Sequence, residues 1–179
     1  MKEAGLLGYE GENTVALLLA SRGIPFIHDI YLKVDNVITQ IDFMVVLKTG
    51  IYCLEVKNYN NCLIKGNLEC KTWTANYYGR YEGFYNPYMQ NLNHIAMLKK
   101  CLTPSSEKMF IRNFVVFNDE ANVNINNATD EICRYSDLDR VLKEDTKYYY
   151  SDDEVKKYIN ELKALREKGH TYRLESIFN

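Results

Sequence analysis

The chain has 179 residues, of which 46% are hydrophobic and 26% are charged, the composition of an ordinary globular protein. Its apolar runs are too short to span a bilayer and its N-terminus lacks the apolar region of a signal peptide, which argues against membrane and secreted classes. The formal net charge of −2 argues against a protein that coats nucleic acid. We therefore expect one cytoplasmic domain over residues 1–179.

The charge is unevenly distributed along the chain. Residues 48–112 carry nine basic and four acidic side chains, whereas residues 1–47 and 113–179 are both net acidic. A basic segment attracts a phosphate backbone, so this pattern supports nucleic acid as a partner.

The first third of the chain predicts a helix, a strand and a hairpin. Apolar residues at helical spacing predict a helix over residues 9–22, and Gly23 with Pro25 ends it. A strand follows over residues 26–32. Two β-branched runs within residues 38–58 flank a Thr49-Gly50 break and predict a hairpin.

The middle of the chain predicts a second small β region and a helix. Residues 59–74 favour a short strand or hairpin. Residues 77–88 show neither the helical nor the strand period of apolar residues and predict a loop or an irregular hairpin. The aromatic side chains and Arg80 in this segment can stack on bases, or they can simply cover the sheet. Pro87 begins a helix predicted over residues 87–102.

The last third predicts a central strand, a terminal strand and two helices. Residues 109–117 are apolar enough for the sheet centre, residues 118–127 favour a polar loop, and residues 132–135 a short strand. Ser136 is predicted to cap one helix. Ser151 and Glu154 form a capping box for the last helix, which is predicted to end at Lys168-Gly169.

Three ionisable residues interrupt the apolar hairpin. Asp42 lies in its first strand, and Glu55 and Lys57 lie in its second. Because an unpaired buried charge is costly, residues of this type in this setting need partners. Gln40 and Asp42 share one face by the two-residue period of a strand, as do Glu55 and Lys57.

The register of the hairpin decides whether these faces coincide. Pairing Lys48 with Ile51 across a Thr49-Gly50 turn sets Asp42 opposite Lys57, and the polar groups then converge on one face. A slip by one residue would separate them. The sequence therefore predicts a cluster of two carboxylates and one ammonium group.

Two neighbouring carboxylates suit a hard divalent cation such as Mg²⁺ or Mn²⁺. The carbonyl of Val56 would add a third ligand to Asp42 and Glu55. Lys57 would then lie beside the attacking water, where it could orient the water or stabilise charge on a phosphate. The simpler alternative is an ion pair of Asp42 with Lys57 that ties the hairpin together.

Asp42 followed by Glu55-Val56-Lys57 resembles the PD-(D/E)xK signature of restriction-endonuclease-like nucleases. Further motifs occur in order along the chain: Gly8-x-x-Gly11-Glu12, Thr39-Gln40-Ile41-Asp42, Gly50-Ile51-Tyr52, Glu55-Val56-Lys57-Asn58-Tyr59, Trp73, Asn86-Pro87-x-x-Gln90-Asn91 and His94. The series resembles the nuclease-related domain (NERD) family over residues 8–120, with a C-terminal strand and helices in residues 121–179. One departure is that Asn60-Asn61-Cys62 stands where the family commonly has Gly.

The resemblance implies a three-layer α/β fold in which helices flank a mixed central sheet. It also implies metal-dependent hydrolysis of phosphodiester bonds, with DNA as the substrate. The implied catalytic residues are Asp42 and Glu55 as metal ligands, Lys57 at the water, and Glu12 and Gln40 beside them. The implied contacts with nucleic acid are made by Gln90, Arg80 and Tyr59.

Alternatives exist for two of these residues and for the whole function. Glu12 near a helix N-terminus is also favourable beside the helix dipole, and Gln90 can instead bond backbone in the loop above it. The rival function is a nucleic-acid- or protein-binding module that retains the nuclease fold. With no helicase segment attached, we expect a separate helicase-type partner or a homo-oligomer.

Overall fold

The computed structural model describes residues 2–128, 130–143 and 147–178, with the backbone alone for residues 2–7 and 174–178. The helices of this described part are α1 (Lys2–Ser21), α2 (Pro87–Cys101), α3 (Leu138–Lys143) and α4 (Asp152–Phe178). Its strands are β1 (Phe26–Val34), β2 (Val37–Leu47), β3 (Gly50–Lys57), β4 (Leu63–Asn67), β5 (Thr72–Tyr77), β6 (Arg80–Tyr85), β7 (Ile111–Phe117), β8 (Asn122–Asn126) and β9 (Ile132–Arg134). None of the described helices is long and apolar enough to cross a membrane.

A five-stranded mixed sheet, ordered β1-β2-β3-β7-β9, forms the centre of the fold. The first three strands are antiparallel, whereas β3, β7 and β9 run parallel. Apolar residues of α1 and α3 pack on one face, and those of α2 and α4 pack on the other. This arrangement confirms the predicted three-layer α/β fold.

A second, four-stranded sheet, ordered β6-β5-β4-β8, was not predicted as a separate unit. Its apolar inner face, which includes the fully buried Trp73, packs on Val115 and Phe117 of β7. In the β3–β7 register these two residues lie beside Glu55 and Lys57. The second sheet therefore covers the layer next to the ionisable residues of β3.

Two segments predicted to be irregular are strands of this second sheet. Residues 122–126, predicted as polar loop, pair in parallel with β4, and residues 80–85 pair with β5 as a regular hairpin. Asparagine is depleted in strands, so the sequence of β8 does not favour a strand by itself. Pairing with β4 overrides this local preference.

The register of the β2–β3 hairpin differs from the predicted one by two positions. Leu47 pairs with Gly50 and Met44 with Cys53, so the turn is Lys48-Thr49. The Lys48 carbonyl accepts hydrogen bonds from the backbone N–H groups of Tyr149 and Tyr150, which hold the turn from outside the hairpin. Continuing this register sets Asp42 opposite Glu55 rather than opposite Lys57.

The ends of the last two helices differ in part from the prediction. Ser136 does not cap α3, because its hydroxyl donates to Asp119 Oδ1 at 2.7 Å. The capping box of α4 is confirmed, since Ser151 Oγ accepts from the Glu154 N–H and the Ser151 N–H donates to Glu154. The helix continues through Gly169, where a Cβ would lie 2.5 Å from the carbonyl oxygen of Tyr31. Glycine thus allows close packing of α4 on β1.

Candidate active site

Most of the predicted site residues line one cavity of about 520 Å³. The cavity lies beside the middle of β2 and the C-terminal end of β3, between α1, α2 and the β5–β6 hairpin. Its lining residues are Gly8, Glu12, Asp42, Glu55, Val56, Lys57, Asn58, Tyr59, Tyr77, Glu82 and Gln90. The structure therefore brings together Asp42, Glu55 and Lys57, the cluster that the hairpin pattern predicts.

Asp42 and Glu55 form the carboxylate pair at the base of this cavity. The Val56 backbone N–H donates to Asp42 Oδ2 at 2.8 Å. Burial and repulsion from Glu55 raise the pKa of Asp42 well above its ordinary value, against the lowering by the Val56 N–H and Lys57. Burial also raises the pKa of Glu55, which is 2% exposed. Two carboxyl groups so placed ionise together only when a cation compensates their charge.

Lys57 is bound to Glu55 rather than to Asp42. Its Nζ donates to Glu55 Oε1 at 2.7 Å and to Gln90 Oε1 at 3.4 Å. The side chain is 22% exposed, so the ammonium group lies at the boundary between the protein and the cavity. The alternative of an Asp42–Lys57 ion pair does not describe these contacts.

Glu12 reaches the cavity because α1 approaches β3 closely. A Cβ on Gly11 would lie 2.7 Å from both the Asn58 Cβ and the Tyr135 hydroxyl, so only glycine allows this approach without a shift. Burial raises the pKa of Glu12 to about 7, and the charges of Asp42 and Asp29 add to this effect. The helix was predicted to begin at residue 9, but α1 begins at Lys2, so Glu12 lies in the middle of the helix and the alternative of a charge beside the helix N-terminus is wrong.

The Asn-Pro-x-x-Gln-Asn motif fixes α2 against both sheets. Asn86 caps the helix by accepting from the N–H groups of Tyr88 and Met89, and its amide donates to Leu68 and Cys70 carbonyls. Asn91 donates to the Cys53 carbonyl of β3 at 2.8 Å. These bonds set the position of the helix face that carries Gln90.

His94 lies one turn after Gln90 and contacts Glu55 of the carboxylate pair. Its Nδ1 is 3.5 Å from Glu55 Oε2. Burial and the Lys57 ammonium group lower the pKa of His94 to about 4, so the imidazole is neutral at pH 7 and the contact is no ion pair. The four-residue spacing of Gln90 and His94, which places both on one helix face, is the signal that identifies this residue.

Asp29 is a neighbouring carboxylate that the sequence pattern does not reveal. It has a φ of +56° within β1 and falls opposite Asp42 in the β1–β2 register. Ile27 and Ile30, which would face opposite sides of a regular strand, pack in the same layer. The alternation of faces therefore breaks at Asp29, and non-glycine residues of this conformation concentrate at functional sites.

Gln40 and Arg80 do not line the cavity. The Gln40 amide donates to Asp29 Oδ1 at 2.8 Å, and its oxygen accepts from the Tyr31 hydroxyl at 3.0 Å. The period that assigns Gln40 and Asp42 to one face does not hold across the break at Asp29. Arg80 is exposed at the start of β6. Tyr59, in contrast, lies in the cavity wall, where its ring contacts Phe84.

The donor set fits a hard divalent cation. Glu55 Oε2 is buried, with His94 Nδ1 at 3.5 Å, and it has no hydrogen bond within the described part of the chain, so a cation would satisfy it. In a β-strand the N–H and the C=O of one residue point toward the same adjacent strand. The Val56 N–H donates to Asp42 of β2, so the Val56 carbonyl also points toward β2. Among the described residues no group of three or more His, Cys, Asp or Glu side chains forms a metal cluster. A cation held here would have two carboxylates and a backbone carbonyl as protein ligands, with water completing the shell.

Comparison with known proteins agrees with the resemblance found in the motifs. The family profile of the nuclease-related domain (NERD) matches residues 7–118. An uncharacterised protein of Bacillus anthracis is 27% identical over 117 residues, which cover 65% of this chain and 55% of that protein. The chain thus matches only about half the length of this curated relative. No solved structure gives a significant match.

Proposed function

The chain belongs to the nuclease-related domain family, and from that premise we propose that it hydrolyses phosphodiester bonds in DNA with Mg²⁺ or Mn²⁺ as cofactor. The observation that carries the proposal is the placement of Asp42, Glu55 and Lys57 in one cavity, with Glu12 and Gln90 around them. A structural ion pair would need one carboxylate for one ammonium group. The ion pair with Lys57 accounts for Glu55, and the Val56 N–H accounts for one oxygen of Asp42, but neither contact requires a third carboxylate at Glu12.

The cation has a defined electrostatic task in this cavity. Glu12, Asp42, Glu55 and Glu82 line it, and among the side chains that the structure describes Lys57 is the one basic residue in its wall. Such a cavity repels a phosphate until cations compensate the carboxylates. A bound divalent cation supplies the Lewis acidity that polarises a phosphoryl oxygen and acidifies water.

The chain's own residues then position and stabilise the reacting groups. Asp42, oriented by the Val56 N–H, and Glu55, oriented by Lys57, present oxygen ligands from two adjacent strands. The Lys57 ammonium group is close enough to the cavity to orient the attacking water and to stabilise charge on the phosphate. Gln90 holds Lys57 from α2.

Glu12 is suited to hold and release a proton during the reaction. A carboxyl group of pKa about 7 changes protonation near neutral pH, which is the condition for efficient proton transfer. Its approach to the site depends on Gly11. We assign Glu12 to the deprotonation of water or to the protonation of the leaving group, with Asp29 and Gln40 as its outer neighbours.

The test is cleavage of plasmid and labelled oligonucleotides, DNA and RNA, at low salt with Mg²⁺ or Mn²⁺. We expect cleavage of DNA that EDTA abolishes, and loss of cleavage in Asp42→Asn and Glu55→Gln proteins that still fold. Binding without cleavage of any substrate would favour the rival, a non-catalytic binding module. Cleavage that persists in Asp42→Asn would show that another site or a contaminant is responsible. The helicase-type partner and the homo-oligomer remain predictions.

A further inference from the structure

The outer face of the second sheet is open to solvent. Residues alternate along its strands, so Ile64, Ala75 and Phe84 pack inward against β7, and the residues between them face outward. The outward residues Lys65, Thr72 and Tyr81 are exposed. This face is polar and lies on the side of the sheet away from the apolar cluster.

The chemistry of this outer face is unusual for a strand surface. Asn122, Asn124 and Asn126 alternate along β8 and are exposed, and no hydrogen bond of their side chains is found among the described residues. Thr72, Thr74 and Asn76 continue the same rows across β5. Lys65 is the one charged residue that faces outward from the four strands. Neutral amides and hydroxyls in rows offer hydrogen bonds without repelling an anion.

Two tyrosine rings form the β6 edge of the face. Tyr81 is 70% exposed and Tyr85 is 49% exposed, and Gly83 lies between them on the same face. The adjoining β5–β6 turn carries Tyr78, which is 95% exposed, and Arg80. Exposed aromatic side chains next to a basic residue are the features on which unpaired bases stack.

The same hairpin joins this face to the cavity. Tyr77 and Glu82 line the cavity, whereas Tyr81 and Gly83, the neighbours of Glu82, face outward. A polymer that lies across the outer face reaches the carboxylate pair by passing the β5–β6 turn. The face and the candidate active site are therefore continuous.

We propose that the outer face of the second sheet binds single-stranded nucleic acid and that its substrate strand runs from this face over the β5–β6 turn into the cavity. Tyr81 and Tyr85 stack on bases. The outward Thr and Asn side chains of β5 and β8 form hydrogen bonds with base edges, and Lys65 and Arg80 contact phosphates. Duplex bases have no free faces for these rings. The inference rests on the proposed function for the direction of the strand, but binding itself is independent of cleavage.

The experiment measures binding of a fluorescent 20-nucleotide oligothymidine by anisotropy, in EDTA and at low salt, so that no cleavage occurs. Stacking on one ring contributes about fivefold to a hundredfold in affinity. We expect the Tyr81→Ala/Tyr85→Ala protein to bind at least about 20-fold more weakly than wild type. The Tyr81→Phe/Tyr85→Phe protein keeps the rings and should bind like wild type. Tyr148→Ala is the matched control, because Tyr148 is 71% exposed and lies outside this face.

A second measurement locates the strand directly. Ultraviolet cross-linking of a bromodeoxyuridine oligonucleotide, followed by mass spectrometry, should label Tyr81 or Tyr85. Unchanged affinity in the folded double-alanine protein, or labels only elsewhere, would overturn the inference. The inference would also be overturned if the wild-type protein is a dimer that dissociates on the double-alanine substitution, because the face would then bind a second copy of the chain. Tyrosine-dependent binding without any metal-dependent cleavage would overturn the proposed function alone.

Discussion

Lys57 and Glu55, two residues apart on β3, share a hydrogen bond of 2.7 Å between Nζ and Oε1, whereas the other oxygen of Glu55 has His94 Nδ1 at 3.5 Å and no hydrogen bond among the described residues. The Lys57 ammonium group thus compensates one Glu55 oxygen and fixes the direction of the carboxylate. Asp42 is held separately, by the Val56 N–H. The proposed function places one further positive charge between the two carboxylates.

Lys57→Ala should slow cleavage by about 100-fold or more, the scale of one lost charge-stabilising or proton-transfer group. Cation binding should persist, because both carboxylates remain. The measurements are single-turnover cleavage rates and calorimetric titration with Mn²⁺. A variant that loses cation binding but keeps the wild-type rate would contradict this role. Lys48→Ala is the control, since Lys48 is paired with Asp152 away from the cavity.

The metal-free protein should lose stability as the pH rises through neutrality because of its carboxyl cluster. The pKa of Glu12 is raised from 4.5 to about 7 and that of Asp42 is also raised. When folding raises the pKa of a group, its contribution to stability is present below the pKa of the unfolded state. This contribution is lost as the pH rises through the pKa of the folded state.

Thermal unfolding in EDTA at pH 4.5, 7 and 9 tests this pH dependence. Asp42→Asn should melt about 3 °C or more above wild type at pH 9, with a smaller difference at pH 4.5. Because the variant and the wild type are compared at the same pH, the titration of all other groups affects both proteins equally. A wild-type protein that is the more stable of the two at pH 9 without metal would show that the carboxylate is compensated by the protein alone.

Cation binding should release protons at pH 7. Carboxyl groups of raised pKa hold protons in the metal-free site and must lose them to bind a cation. Calorimetric titration with Mg²⁺ in two buffers of different ionisation enthalpy should therefore give different apparent enthalpies. Equal enthalpies in both buffers would mean that the site is already ionised.

Gly11→Ala should lower the melting temperature and impair the site, whereas Gly8→Ala, at a cavity-lining position with open space for a Cβ, should not lower the melting temperature. Both glycines lie in α1, where alanine favours the helix by about 1 kcal/mol. A Cβ at Gly8 meets nothing within 4 Å, but at Gly11 it meets Asn58 and Tyr135 at 2.7 Å. We expect Gly11→Ala to lower the melting temperature and to slow cleavage about tenfold or more by moving Glu12. Equal melting temperatures of the two variants would show that the close approach of α1 to β3 does not depend on Gly11.

The convergence of Asp42, Glu55 and Lys57 could be predicted although the hairpin register was wrong. The register slipped by two residues, and side chains alternate with a period of two, so each residue kept its face. A slip by one residue would have separated them. The three-layer fold was predicted from the resemblance to the nuclease-related domain family, whereas the helical and strand periods predicted most of its individual elements.

Other parts of the site depend on contacts that no local pattern contains. The left-handed conformation of Asp29 disrupts the alternation of side chains between the two faces of β1. A single carboxylate within a predicted strand does not indicate this conformation. Glu82 enters the cavity because β6 pairs with β5, and β8 forms because β4 offers a partner. Pairing between segments distant in sequence decided these features, against the local preference of the asparagine-rich segment.

We propose that Asp42 and Glu55 together hold a divalent cation. Anomalous diffraction from a crystal soaked in Mn²⁺ is the direct test. We expect one anomalous peak bound by a carboxylate oxygen of each residue and by the Val56 carbonyl, near the ~2.1 Å typical of Mg²⁺, and no such peak in an Asp42→Asn crystal. A well-ordered Mn²⁺-soaked crystal with no peak between the two carboxylates would contradict it.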